Sequence, residues 1–334
     1  MKLPRLGGWI PIRLYGQPPR LMVDWCYLGA TRFTEPFFEQ TIEHSLRHPF
    51  NQLFRHQTPI EVLGEWQAVQ PGLPPTGFIF HMSRCGSTLI SQMLGALPQN
   101  VVISEAGPID SVLRANFQDP GVTDEQRVAW LKWLVSALGQ RYNQEKNYFI
   151  KFDSWHTLDL PLIKRAFPKV PWVFVYREPV EVIVSNLNRT ARRMFPGPLG
   201  ASLLGLDPST ILLMRREEYS ARMIGKFCGV VLEEHQGSAL LVNYRQLPEV
   251  VSSSLLDFFR VSHSAADREL MRDASLFDAK NPSAHFVQDS EAKSREATDL
   301  VRQMADEWVN VFYEQLEAAR EARPRSGHLS IALT

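Results

Sequence analysis

Cysteine is scarce in this 334-residue chain: Cys26, Cys85 and Cys228 lie far apart and form no CxxC pair. That excludes a disulfide framework and a thiolate zinc site, and isolated thiols suit a reducing compartment. No run approaches the roughly 18 consecutive apolar residues of a membrane span. The amino-terminal MKLPRLGGWIPIRLYG has no apolar core of signal-peptide length, so a cytoplasmic setting is expected. Neither sign of charge is in excess, with 36 Lys and Arg against 36 Asp and Glu. A general nucleic-acid binder needs clustered cations facing phosphates, and that class is set aside. Internal repeats and low-complexity tracts are absent too.

What is present is an ordinary globular composition, 44% apolar and 22% charged, enough for one large α/β unit. Residues 1–76 read as an extension. WIPIRLYG and PRLMVDWCYLG form a β-hairpin around Gly16–Pro19, and a helix follows up to the His48-Pro49 break. The breaker cluster Pro71–Gly77 marks a boundary. From Gly77, short apolar strands alternate with helices. Strands are expected at Phe78–Met82, Val101–Ser104, Tyr148–Phe152, Pro171–Tyr176 and Ala239–Tyr244. A helix is expected from a capping box at Thr123 and Gln126, another after Pro179, and one long helical stretch over Pro208–His235. The pattern predicts a P-loop-type α/β fold for residues 77–334: a parallel sheet with helices on both faces.

The sharpest local signal is FIFHMSRCGSTLISQML, a buried strand running through a short polar turn into a helix. Such a turn aims backbone N–H groups and the positive helix end at an anion. Gly86 permits close approach, Ser87 and Thr88 supply hydroxyls, and Arg84 supplies a bidentate cation. A nucleotide-hydrolysing loop would carry lysine where Ser87 stands. No apolar strand ends in the aspartate that would hold Mg²⁺; WVFVY ends instead in Arg177. A phosphate- or sulfate-rich ligand handled without a metal fits this residue set.

These residues resemble the family of sulfotransferases that use 3′-phosphoadenosine-5′-phosphosulfate (PAPS). Ser83-Arg84-Cys85-Gly86-Ser87-Thr88 is similar to the family's P-[RK]-S-G-T-[TS] loop, with three substitutions. Arg177-Glu178-Pro179-Val180-Glu181, with Ser185 beyond, matches its R-[DN]-P-x-[DE]-x-x-x-S element. The resemblance covers residues 77–260 and implies that Arg84, Cys85, Gly86, Ser87 and Thr88 bind the donor. It implies that Arg177 and Ser185 hold the 3′-phosphate. LLVNYRQL resembles the family's Tyr-Glu-Asp-Leu element and assigns Tyr244 to the adenine, although Arg245 stands where the glutamate belongs. The family's late basic-glycine loop is not recognisable; Lys280 or Lys293 is the substitute in this sequence.

Sulfuryl transfer needs a base for the acceptor hydroxyl and fixed positive charge for the leaving phosphate. Glu105, ending the strand VVIS, is the favoured base, because related bacterial and protein-tyrosine enzymes carry glutamate there. Two nearby arginines are expected to depress its pKa. Asp153 and His156 are rivals. Lys151 resembles a lysine that contacts the transferring group. His81 is read as packing beneath the loop, and Trp130 and Trp133 as core. Arg189, Arg192 and Arg193 form either a solvated helix end or an acceptor patch. The acceptor hydroxyl is open: small molecule, glycan, lipid or peptide. A divergent P-loop kinase or NTPase and a non-catalytic nucleotide-binding protein are the alternative functions.

Overall fold

A computed structural model describes residues 6–17, 20–188, 196–237, 239–285 and 289–322, with backbone alone at 281–285. The arginine cluster 189–193 lies outside the described residues.

Five short segments of apolar and β-branched residues make the central sheet. They are β4 (Gly77–His81), β5 (Asn100–Ser104), β6 (Asn147–Lys151), β7 (Trp172–Tyr176) and β8 (Leu240–Asn243), all parallel, in the order β5-β6-β4-β7-β8. All residues of β4, β5 and β7 are buried, as a parallel sheet covered on both faces requires. Each observed strand falls within one residue of its expected limits. Helices Ser87–Gly95, Asp124–Leu138, Pro179–Asn188 and Arg216–His235 flank the sheet. The second begins at the expected capping box: Thr123 Oγ1 accepts the Gln126 N–H, and the Gln126 side chain accepts the Thr123 N–H.

Two elements differ from expectation. The stretch Pro208–His235 is broken, because Met214 and Arg215 adopt extended backbone between helices Pro208–Leu213 and Arg216–His235. Periodicity continues through that break and hides it. The amino-terminal β1 (Trp9–Gln17) and β2 (Arg20–Tyr27) pair antiparallel as expected, but a third strand, β3 (His56–Pro59), joins β2. HQTP carries no strand periodicity. Its place comes from tertiary contacts, among them the Trp25 indole N–H donating to Thr58 Oγ1 at 2.9 Å.

The amino-terminal part is fastened to the sheet. The Arg32 guanidinium donates to the carbonyls of Gly95 and Leu97 at 3.0 and 2.9 Å. The first of these, the Gly95 carbonyl, is one of those that a helix end leaves without an intrahelical partner. Ile10 and Val23 of the hairpin share one buried cluster with Phe80 and Ile103 of the sheet. Trp130 is buried and Trp133 packs against Gly64, so both serve packing. Farther along, β9 (Phe277–Asp278) and β10 (Asn281–His285) form a small antiparallel hairpin, followed by helix Ser290–Glu296.

Candidate functional site

Parallel strands bring all their carboxyl ends to one edge, where open α/β sheets bind ligands. Here β4 delivers the turn Met82–Gly86, β5 delivers Glu105, β6 Lys151 and Asp153, β7 Arg177 and β8 Tyr244. The turn enters the helix Ser87–Gly95 through Gly86, whose φ is +84°. A Cβ there would stand 2.5 Å from Leu247 Cδ1 and 3.0 Å from the Tyr244 ring, so only glycine fits. Ser83 and Arg84 also have positive φ, 78° and 51°. Such backbone costs about 1–3 kcal/mol per residue and persists where the surroundings impose it.

The two signature segments, about a hundred residues apart, meet here because β4 and β7 are neighbours. Arg84 Nε donates to Ser185 Oγ at 3.1 Å, and Ser83 Oγ donates to Asn186 Oδ1 at 3.3 Å. Asn186 was not legible as a site residue; it follows Ser185 and fixes the turn from the side. Ser185 thus partners Arg84. Arg177 is turned elsewhere: its Nε donates to Glu181 at 2.5 Å, and its Nη2 to Asp289 at 2.7 Å and Ser290 at 3.2 Å. Its guanidinium lies 4.1 Å from the centre of the Tyr244 ring. Glu181 follows from the i,i+4 spacing on a helix. Asp289 and Ser290 had no signal, since they arrive from a hairpin and helix more than a hundred residues downstream.

Glu105 and Lys151 face each other because Ser104 and Lys151 are register partners on β5 and β6. Lys151 Nζ lies 2.7 Å from Glu105 Oε1 and donates to Thr88 Oγ1 at 3.3 Å. Since β6 lies between β5 and β4, Lys151 stands between Glu105 and the turn Met82–Gly86. The lysine is fully buried, whereas Glu105 is partly exposed. Glu105 itself has φ +55°, a third imposed backbone geometry at this edge. Burial pushes its pKa up, but Lys151 and His81 outweigh that and hold the carboxyl well below the usual range. The depression comes from these two groups, whereas the sequence pointed to two arginines.

His81 does more than pack. Its Nδ1 accepts the Ser83 N–H at 3.1 Å, so its proton resides on Nε2, which faces Glu105 Oε1 at 3.6 Å. Cys85 turns its thiol to the sheet, donating to the Val175 carbonyl at 3.0 Å, and burial pushes it up to about 12. Any donor contact by Cys85 therefore falls to its backbone. Ser87 and Thr88 are buried in the first helical turn.

The rival bases are differently placed. The Asp153 N–H donates to His156 Nδ1 at 3.2 Å, and His156 Nε2 meets Asp110 Oδ1 at 2.9 Å. Both ring nitrogens of His156 are thereby engaged in holding the 3₁₀ turn Ser154–Asp159. Lys280 and Lys293, the candidate late clamp, separate. Lys293 pairs with Asp289 beside Arg177. Lys280 Nζ lies 5.7 Å from the Phe37 ring centre, on the ring that Lys151 Nζ approaches at 4.9 Å. Phe37 belongs to the amino-terminal part and was not read as a site residue.

Among the described residues no group of three or more His, Cys, Asp or Glu stands close enough to hold a metal ion, and no helix is long and apolar enough to cross a membrane.

Residues 75–203 match the sulfotransferase family model. Similar solved structures include the sulfotransferase domain from the curacin biosynthetic pathway, with TM-score 0.41 and 15% identity over 71% of this chain and 98% of that one. The sulfotransferase domain of the Synechococcus PCC 7002 olefin synthase gives 0.42 and 14% over 77% and 98%. A mouse sulfotransferase complexed with PAP gives 0.40 and 12% over 78% and 92%. No curated protein matches the chain significantly.

Proposed function

We propose, from the match of residues 75–203 to the sulfotransferase family model, that the chain transfers a sulfuryl group from PAPS to an acceptor hydroxyl. The observation that carries this reading is the Lys151–Glu105 pair, 2.7 Å apart at the edge that also holds the Arg84 turn. It sets one carboxylate beside fixed cations, as the reaction demands. Residues 77–334 carry the chemistry in this reading, and residues 1–76 are an extension that lends Phe37.

The step is an in-line displacement at sulfur. The acceptor oxygen attacks, its proton passes to the Glu105 carboxylate, and the bridging S–O bond breaks with its electron pair moving to the 5′-phosphate oxygen. A sulfate ester and adenosine 3′,5′-bisphosphate result. Arg84, Lys151 and the N–H groups of the first helical turn face the charge that develops on the phosphate. In the unliganded site Glu105 is a weak base, because Lys151 holds its charge. A sulfuryl group that draws the Lys151 ammonium to its own oxygens restores that basicity. The same lysine then serves both halves of the step, and no metal is needed for it.

At the far end of the donor, Arg177 takes the 3′-phosphate together with Ser185, and Tyr244 borders the adenine. Glu181 keeps the guanidinium aligned from within, while the phosphate replaces the half-exposed Asp289.

Adenosine 3′,5′-bisphosphate is expected to raise the melting temperature without Mg²⁺, adding about 2.7 kcal/mol at a hundredfold excess over its Kd. Stabilisation by ATP with Mg²⁺ and none by the bisphosphate would overturn the reading. Arg177→Ala is expected to weaken bisphosphate binding by about 1.5–3 kcal/mol, the scale of hydrogen bonds to a charged group. Adenosine 5′-phosphosulfate, which has no 3′-phosphate, should bind the variant as it binds the wild type. Equal losses for both nucleotides would remove Arg177 from the 3′-phosphate.

A further inference from the structure

Resting on the donor reading above, we infer that Lys280 is a third cation of the sulfuryl site, a contact for the sulfate end of the donor that Phe37 holds in place. Lys280 lies outside the segment that matches the family model. It sits in the turn joining β9 to β10, where its backbone N–H donates to Asp278 Oδ1 at 2.9 Å. Three separate parts of the chain converge on one ring. Phe37 comes from the amino-terminal extension, Lys151 from β6 and Lys280 from the late hairpin, with the two ammonium groups 4.9 and 5.7 Å from the ring centre. An aromatic face attracts cations through its quadrupole, so Phe37 gathers two like charges that would otherwise separate.

The gathering of cations points to an anion. Lys280 lies in the field of two further cations, Arg84 and Lys151, and of the Glu105 carboxylate, with the Asp278 carboxylate at its own backbone N–H. Although part of its side chain is exposed, crowding by protein atoms lowers its pKa to about 8, and Arg84 and Lys151 add repulsion. A ligand of opposite sign placed among these cations relieves their mutual repulsion. Lys293 serves the other end. It pairs with Asp289, the residue that holds Arg177. One downstream segment therefore carries two lysines to two ends of one ligand, Lys280 toward the sulfate and Lys293 toward the 3′-phosphate.

Calorimetric titration with three nucleotides separates the ends. Lys280→Met is expected to weaken adenosine 5′-phosphosulfate and PAPS by about tenfold, the lower scale of one charge-assisted contact, with a smaller loss for the bisphosphate, which lacks the sulfate. It should also slow the release of bisphosphate from PAPS with water as acceptor. Lys280→Arg should restore binding. Phe37→Leu should reproduce the loss in weaker form, because the ring positions the lysine without touching the donor. Equal losses for all three nucleotides, or a loss confined to the bisphosphate, would overturn the assignment. A wild-type protein that binds none of the three would instead sink the donor reading itself, so the two failures are distinguishable.

Discussion

Glu105→Gln is expected to lower turnover by about 10²–10⁴-fold, the range for losing a general base, while bisphosphate binding stays as in the wild type. The substitution keeps the shape and one acceptor oxygen toward Lys151 and removes the basicity. Turnover is followed as bisphosphate release from PAPS with a hydroxyl acceptor found by screening phenols, sugars and alcohols. Asp153→Asn should cost far less. Its neighbour His156 is held between the Asp153 N–H and Asp110, while Glu105 stands opposite Lys151. A Glu105→Gln enzyme that retains turnover, beside an Asp153→Asn enzyme that loses it, would move the base to β6.

Lys151→Met is expected to destabilise the fold by about 3 kcal/mol, the lower end for breaking a buried pair because Glu105 is partly exposed. It should also cut turnover severely, since the charge facing the sulfuryl oxygens goes with it. The pH dependence has a defined sign. Glu105 has its folded pKa held below its unfolded value, so the stability from its pairing is fully present above about pH 4.3 and is lost as the pH falls from there toward the folded value. Lys151→Met should lack that contribution, and its stability should fall less steeply over the same acid range. Adding Glu105→Gln to Lys151→Met should recover much of the stability, because no unpaired carboxylate remains. Additive losses in the double variant, measured by denaturant unfolding, would show that the two side chains are not coupled.

The sequence by itself determined the sheet. Runs such as FIFHM, VVIS and WVFVY are apolar but for His81 and Ser104 and too short for helices, so burial on both faces was the physical option left to them. The same reasoning located Arg84, Lys151, Glu105 and Arg177, because each ends or follows such a run and strand ends share one edge. Gly86 was legible as a turn residue from its place between strand and helix.

Tertiary structure decided which of those residues touch. Strand order is not written in periodicity, and only the placement of β6 between β5 and β4 brings Lys151 to Glu105. The left-handed backbone at Ser83, Arg84 and Glu105 carries no composition signal, since ordinary residues are forced into it by their surroundings. Asp289 beside Arg177, and Phe37 between Lys151 and Lys280, join residues more than a hundred positions apart. Local propensity acts over a few residues along the chain, whereas such pairings are selected by the burial and charge balance of the whole fold.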